Sequence, residues 1–290
     1  MSTVEDDPKT DPGTDPTVSV IVPCHNSVPW LAETVASLTA QTLRSMEIIL
    51  VDDGSRDSTR ALIGELVAAN PAHRIRAVFQ DTTGVGAARN RGIAMARGRY
   101  ILPVDADDLI APDTLEICAA RLDADPAIGV VYTDREEFGD VAAVWPAGRF
   151  ELERLKYFNQ LSYCALYRKA VWEAVGGYRT NVDGFDDWDF WIASAALGVR
   201  GRHQPGAFLK HRKRGDSQMW SIIDGYDRLF ATIILNNRKV YSATEVAAAE
   251  TLLATGVAAP LFRSTRYVFM GHFLGKLPAP ARRGETSCAS

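Results

Sequence analysis

Short apolar runs that alternate with helical patterns confine this chain to one class of fold. Val18-Ser19-Val20-Ile21-Val22 and Ile48-Ile49-Leu50-Val51 are apolar on nearly every residue, so both faces of each strand need covering. Ile75–Phe79, Arg99–Val104 and Ile128–Tyr132 read as three more strands. Helices are predicted from Ser27 and Pro29, with Leu31, Val35 and Leu38 on one face, and from Ser58, with Leu62, Leu66 and Val67 apolar. Pro112–Leu122 is a further helix, and Gly84–Ala96 reads as a Gly-rich loop entering a helix. The alternation predicts an α/β fold with a mainly parallel sheet and helices on both faces. In such sheets ligands bind beyond the carboxyl ends of the strands. Three polar motifs fall there: Cys24-His25-Asn26, Asp52-Asp53-Gly54-Ser55 and Asp105-Ala106-Asp107-Asp108.

The third motif carries the most chemistry. Asp105 and Asp107 are two apart, and an extended backbone would point both to one side. Two like charges on one face repel unless a cation intervenes. Hard ions such as Mg²⁺ or Mn²⁺ prefer oxygen ligands, and Mg²⁺ commonly takes one or two carboxylates plus phosphate oxygens. The motif therefore reads as a metal clamp for a phosphorylated ligand; an acidic loop capping the next helix is the alternative.

The 290 residues are 47% hydrophobic, enough for one large α/β domain or a domain with an appendage. Net charge is −4, without the basic bias of a nucleic-acid binder. Residues 200–290 nevertheless hold 14 Lys and Arg against 6 Asp and Glu, a local +8 that suits phosphates, an anionic acceptor or the inner face of a membrane. Cys24, Cys118, Cys164 and Cys288 form no CxxC pair and read as reduced thiols of a cytoplasmic protein. Residues 1–16 read as a disordered tail, and no apolar run is long enough to span a bilayer. Leu252–Met270 is fairly apolar but is interrupted by Arg263 and Arg266, so it reads as a packed helix, with a segment resting on a membrane surface as the alternative.

The motifs in order are Pro23-Cys24-His25-Asn26, then Val51 to Thr59 with Asp52-Asp53-Gly54-Ser55, then Gly84-Val85-Gly86-Ala87-Ala88-Arg89-Asn90-Arg91-Gly92. Asp105-Ala106-Asp107-Asp108 and Asp186-Asp187-Trp188-Asp189 follow. Together they resemble the family 2 glycosyltransferases of the GT-A fold, over roughly residues 17–217. The resemblance implies a Rossmann-like nucleotide-binding half at 17–132, an acceptor-binding half at 133–217 and a helical extension at 218–290. It implies transfer of a sugar from a nucleoside-diphosphate donor to a glycan, lipid-linked or small-molecule acceptor, with inversion. By that likeness Asp53 holds the nucleobase, Pro23 and His25 lie beside base and ribose, and Arg89 and Asp105 position the donor. Asp105, Asp107 and Asp108 match the metal-binding DxD region, with Asp107 foremost and Mg²⁺ or Mn²⁺ as the ion. Asp187 is the expected general base.

Two departures stand out. Asp186 replaces the family's usual Glu. The stretch His211-Arg212-Lys213-Arg214-Gly215-Asp216-Ser217 places Arg214 where many relatives have a metal-binding His, so either His211 substitutes or the cationic residues meet the diphosphate directly. Lys210, Arg212 and Arg214 are candidates for that contact. A dinucleotide oxidoreductase would need GxGxxG after the first strand, and a sugar-phosphate nucleotidyltransferase a Gly-rich, Arg-containing loop there. Neither is present. A sugar-nucleotide-binding relative without turnover is the non-enzymatic alternative.

Overall fold

The computed structural model describes residues 15–140, 142–213 and 219–274. The first half alternates as expected. The strands are β1 (Val18–Cys24), β2 (Met46–Asp53), β3 (Ile75–Gln80) and β4 (Tyr100–Pro103), with helices α1 (Leu31–Thr39), α2 (Thr59–Ala69) and α3 (Val85–Met95) between them. β5 (Leu109–Ile110), α4 (Thr114–Ala124) and β6 (Ile128–Gly139) follow. β3, β2, β1 and β4 are mutually parallel, and every residue of β2 is buried. Consecutive apolar residues are what a strand covered on both faces requires.

The second half adds one long parallel pair and several short antiparallel ones to the sheet. It contains β7 (Ala143–Trp145), α5 (Leu152–Leu155), β8 (Leu166–Arg168), α6 (Lys169–Val175), α7 (Asp186–Ala196) and β9 (Arg200–Lys213). The sheet order is β3-β2-β1-β4-β8-β6-β9-β5, with β7 beside β6. β8 runs antiparallel to both β4 and β6, and β5 runs antiparallel to β9, so the sheet is mixed. Gly84–Ala96, expected to begin as a loop, is helical from Val85 onward. The glycine content of α3 serves packing: a Cβ at Gly92 would lie 2.6 Å from Ile21 Cγ2.

The last described residues form α8 (Met219–Asn236), α9 (Ala243–Thr255) and α10 (Pro260–Leu274). These helices share one buried cluster with α7. Phe230 stacks on Trp188 at 5.4 Å between ring centroids, and Phe269 meets Phe185 edge-on at 5.6 Å. Ser242 and Glu245 close a capping box at the start of α9. Leu252–Met270 is thus two packed helices joined by a bend of 89°. No single helix among the described residues is long and apolar enough to cross a membrane. Cys24, Cys118 and Cys164 are buried and free. Nearly all of the 1–16 tail, Arg214 and Cys288 lie outside the described residues.

Candidate active site

The parallel register of β1 and β2 sets Pro23 beside Val51 and Cys24 beside Asp52, so the two strand ends open side by side. The exposed His25 then reaches the Asp53 carbonyl through Nδ1 at 2.8 Å. That acceptor fixes the neutral ring as the Nδ1–H tautomer and leaves Nε2 free to accept. Asn26, at φ 52°, is the one described non-glycine residue with positive φ, and its side chain accepts from Arg56 N–H. The Asp53 carboxylate is buried. Its Oδ1 accepts from Thr83 N–H and Gln80 Nε2, both at 2.8 Å, and its Oδ2 accepts from Gly84 N–H at 2.9 Å. Asp53 therefore shapes the loop that starts α3. Oδ2, with one donor, retains the lone pair that a base N–H could use.

Asp105 to Asp108 do not continue as a strand. Asp108 N–H donates to the Asp105 carbonyl at 3.0 Å, which closes a turn. The same-side argument from an extended backbone fails for this reason. Asp105 and Asp107 stay partly exposed, whereas Asp108 turns inward. Asp108 Oδ2 accepts from the Tyr163 hydroxyl at 2.6 Å and faces His211 Nδ1 at 3.2 Å; Oδ1 accepts from Arg212 N–H at 2.7 Å. Burial opposes its charge, but His211, Tyr163 and Arg212 outweigh burial and hold its carboxyl below the usual range. Both Asp108 oxygens are thus engaged, and the carboxylate orients His211. The neutral His211 ring then carries its proton on Nδ1 and offers Nε2 outward.

Arg89 is buried, and its guanidinium joins the two acidic motifs. Nη2 donates to Asp105 Oδ1 at 2.7 Å and Nη1 to Asp186 Oδ2 at 2.5 Å. Tyr163 and Tyr178 flank it, with ring centroids 5.1 and 5.8 Å away. Arg89, expected to help position the donor, binds two carboxylates from segments 81 residues apart in sequence. Among its cationic neighbours in that expectation, Arg212 is likewise committed, to the Asp107 carbonyl at 2.8 Å and to Glu33 at 2.5 Å. Lys210 lies 4.0 Å from Glu136.

Asp187 opens α7 beside this bridge and is partly exposed. Its Oδ1 accepts from Trp188 N–H at 2.7 Å and its Oδ2 from Asn159 Nδ2 at 3.1 Å. Burial and the adjacent Asp186 push its carboxyl up to about 7 against the pull of Arg89 and the two hydrogen bonds. Burial likewise raises Asp105 to about 6; Arg89 opposes this, and Asp108 and Asp107 add to it. A carboxyl near 7 suits a base at neutral pH. Among the described residues no three His, Cys, Asp or Glu side chains already converge as a ligand set. Asp105, Asp107 and His211 are the side chains that could hold an ion whose shell phosphate oxygens complete. Tyr163 and Asn159 escaped sequence reasoning, since neither lies in a recognisable motif.

The family model described as Glycosyl transferase family 2 matches residues 19–182. Chondroitin synthase of Escherichia coli is 28% identical over 191 residues, covering 63% of this chain and 27% of that protein. The PGL/p-HBAD biosynthesis glycosyltransferase of Mycobacterium bovis is 33% identical over 199 residues, 65% of this chain and 74% of that one. Against the first curated relatives matched, the chain thus spans between about a fifth and about a quarter of their length. Two solved structures share the fold. S. aureus TarS with UDP-GlcNAc has a TM-score of 0.64 at 23% identity, over 90% of this chain and 82% of that one. The mannosyltransferase PcManGT of Pyrobaculum calidifontis, with GDP-Man and Mn2+, has a TM-score of 0.63 at 21% identity, over 93% and 78%.

Proposed function

The chain belongs to glycosyl transferase family 2, and from that premise we propose that it moves a sugar from a nucleoside-diphosphate donor to an acceptor hydroxyl with inversion. One observation carries the reading. A single guanidinium, that of Arg89, holds Asp105 and Asp186 together, so the donor-side turn and the base-bearing helix meet in one place. Acids that were separate in sequence then face one reaction centre. The nucleotide-sugar complexes of TarS and PcManGT support the donor class.

The residue roles follow from placement. Pro23, His25 and Asp53 border the base and ribose, with His25 Nε2 and the remaining lone pair of Asp53 Oδ2 as acceptors. Asp105 and Asp107 meet the diphosphate end, with His211 as a third contact aimed by Asp108. Their donor set fits Mg²⁺ or Mn²⁺, and PcManGT carries Mn2+. When bound, such an ion would neutralise charge on the departing diphosphate. Asp187 takes the proton from the acceptor hydroxyl as that oxygen attacks the anomeric carbon, and the nucleoside diphosphate leaves on the opposite side. One displacement with one base inverts the centre, by analogy with inverting hydrolases.

We place the chain in the cytoplasm, its basic C-terminal part toward the inner face of the membrane. Tyr267, Val257 and Val268 are exposed beside Arg263, which supports contact with an anionic surface. Co-sedimentation with anionic but not neutral vesicles tests that point. The catalytic reading is tested by a panel of nucleotide sugars with Mg²⁺ or Mn²⁺, followed by melting temperature and by nucleotide release. The expected result is metal-dependent protection by one donor. No response to any donor would sink the proposal.

A further inference from the structure

The base at Asp187 is not held by its own helix alone. Asn159, in the loop after α5, donates to Asp187 Oδ2. The amide cannot turn over freely, because its Oδ1 accepts from Leu161 N–H at 3.1 Å. That second bond fixes which end of the amide faces the carboxylate. The loop is itself anchored from three sides. Trp188 Nε1 donates to the Leu155 carbonyl at 2.5 Å. The Tyr241 hydroxyl donates to the Lys156 carbonyl at 2.7 Å. The Tyr157 hydroxyl donates to Glu245 Oε1 at 2.6 Å, in the first turn of α9. Segment 155–161 is therefore a bracket between the C-terminal helices and the base.

Resting on the transferase reading above, we propose that Asn159 is the positioning residue of Asp187, and that Tyr241 and the first turn of α9 set its place through Lys156 and Tyr157. Asn159 fixes the direction of Oδ2 and favours the ionised carboxylate. The remaining bond, from Trp188 N–H, reaches only Oδ1 and comes from within α7, so it cannot fix the carboxylate against the acceptor side. The charged and titratable groups that face Asp187 are Asp186 on its own helix, Arg89 on α3 and Tyr178 in the segment before α7. Asp186 is paired with Arg89, a contact that Asn159 does not share. Asn159 is thus the neutral donor whose loss changes the proton affinity of Asp187 without disturbing the Arg89 bridge.

The test is a titration of the full chain with ¹³C-labelled aspartate, followed at the carboxyl carbons, with the Asp187 signal assigned by its loss in Asp187→Asn. Asn159→Asp keeps the shape and the acceptor for Leu161 N–H but replaces the donor by a carboxylate. Asn159→Ala removes the side chain. Both should bind the Asp187 proton about tenfold or more tightly, the size of one hydrogen bond to a charged group. In the unmodified chain, the Asn159 side-chain amide signals should move through the same midpoint as Asp187. An unchanged midpoint in either folded variant, or an Asn159 amide that ignores the titration, overturns the proposal. No donor or acceptor enters this experiment. A failure here leaves the transferase reading standing, and a chain that turns over no sugar nucleotide would fail that reading without touching this one.

Discussion

At the scale of single residues, the decisive feature is that two neighbouring acids have opposite jobs. Asp186 spends its charge on Arg89, while Asp187 keeps a carboxyl pushed up to about 7. Asp187→Asn should retain donor binding, read by melting-temperature shift, and lose transfer by about 10²–10⁴-fold, the usual worth of a placed base. The base must be ionised, so the rate should climb with pH through about 7 and be lost below it. Stability runs the other way. A carboxyl raised in the folded state binds its proton more tightly there than in the unfolded chain, so its contribution is full at low pH and disappears as pH rises through about 7. Asp187→Asn removes that loss, and its melting temperature should gain on the parent's as pH goes from 5 to 9. Arg89→Met is the contrasting change. It leaves Asp105 and Asp186 facing a buried apolar side chain, and removal of one partner from such a bridge costs about 3–5 kcal/mol. Urea denaturation would read it, and a loss under about 1 kcal/mol would show the bridge to be incidental.

At the scale of elements, the strands that could be read from sequence were those with unbroken apolar runs. β1, β2 and β4 announce themselves because both faces are covered. β9 does not: its 14 residues are largely polar and only Leu209 is buried, since much of the strand faces solvent. β5 and β8 have two and three residues, too few to show a period, and they exist because long partners hold them. The site divides in the same way. Asp107 and Asp187 stand in motifs, but the Arg89 bridge depends on which way a helix faces, and Tyr163 depends on a turn 55 residues earlier. Glycines give a sharp element-level test. Gly92→Ala would press a methyl against Ile21 and Val51, at 2.6 and 3.1 Å, and should cost about 1–3 kcal/mol. Gly64→Ala, in the exposed middle of α2 with nothing within 4 Å, should stabilise by about 0.5–1 kcal/mol. Equal effects at the two positions would contradict the packing of α3 on β1.

At the scale of the whole molecule, the question is whether the C-terminal helices are an appendage or part of the enzyme's body. Their aromatic side chains answer in favour of the body. Phe230 of α8 is fully buried, lies flat on Trp188 of α7 and meets Phe262 of α10 edge-on at 5.9 Å. Tyr226 packs on Phe185 and Phe269 in the same cluster. Asp189, the third acid of α7, accepts from Asn237 Nδ2 at 2.8 Å and Asn236 Nδ2 at 3.2 Å, so the polar contacts cross the same seam. A module with its own core would not share its largest side chains with its neighbour. Phe230→Ala should then cost about 3–5 kcal/mol, since an aromatic ring is lost from a fully packed site. More telling is the form of the transition. Tryptophan emission, from six tryptophans that include Trp188 and Trp191 at the seam, and far-ultraviolet dichroism, dominated by the helices and sheet as a whole, should fall together in urea for the parent and the variant. If the helices formed a separate unit, the parent's unfolding would split into two steps, and Asp187 would then be held without the bracket that Tyr157 and Tyr241 supply.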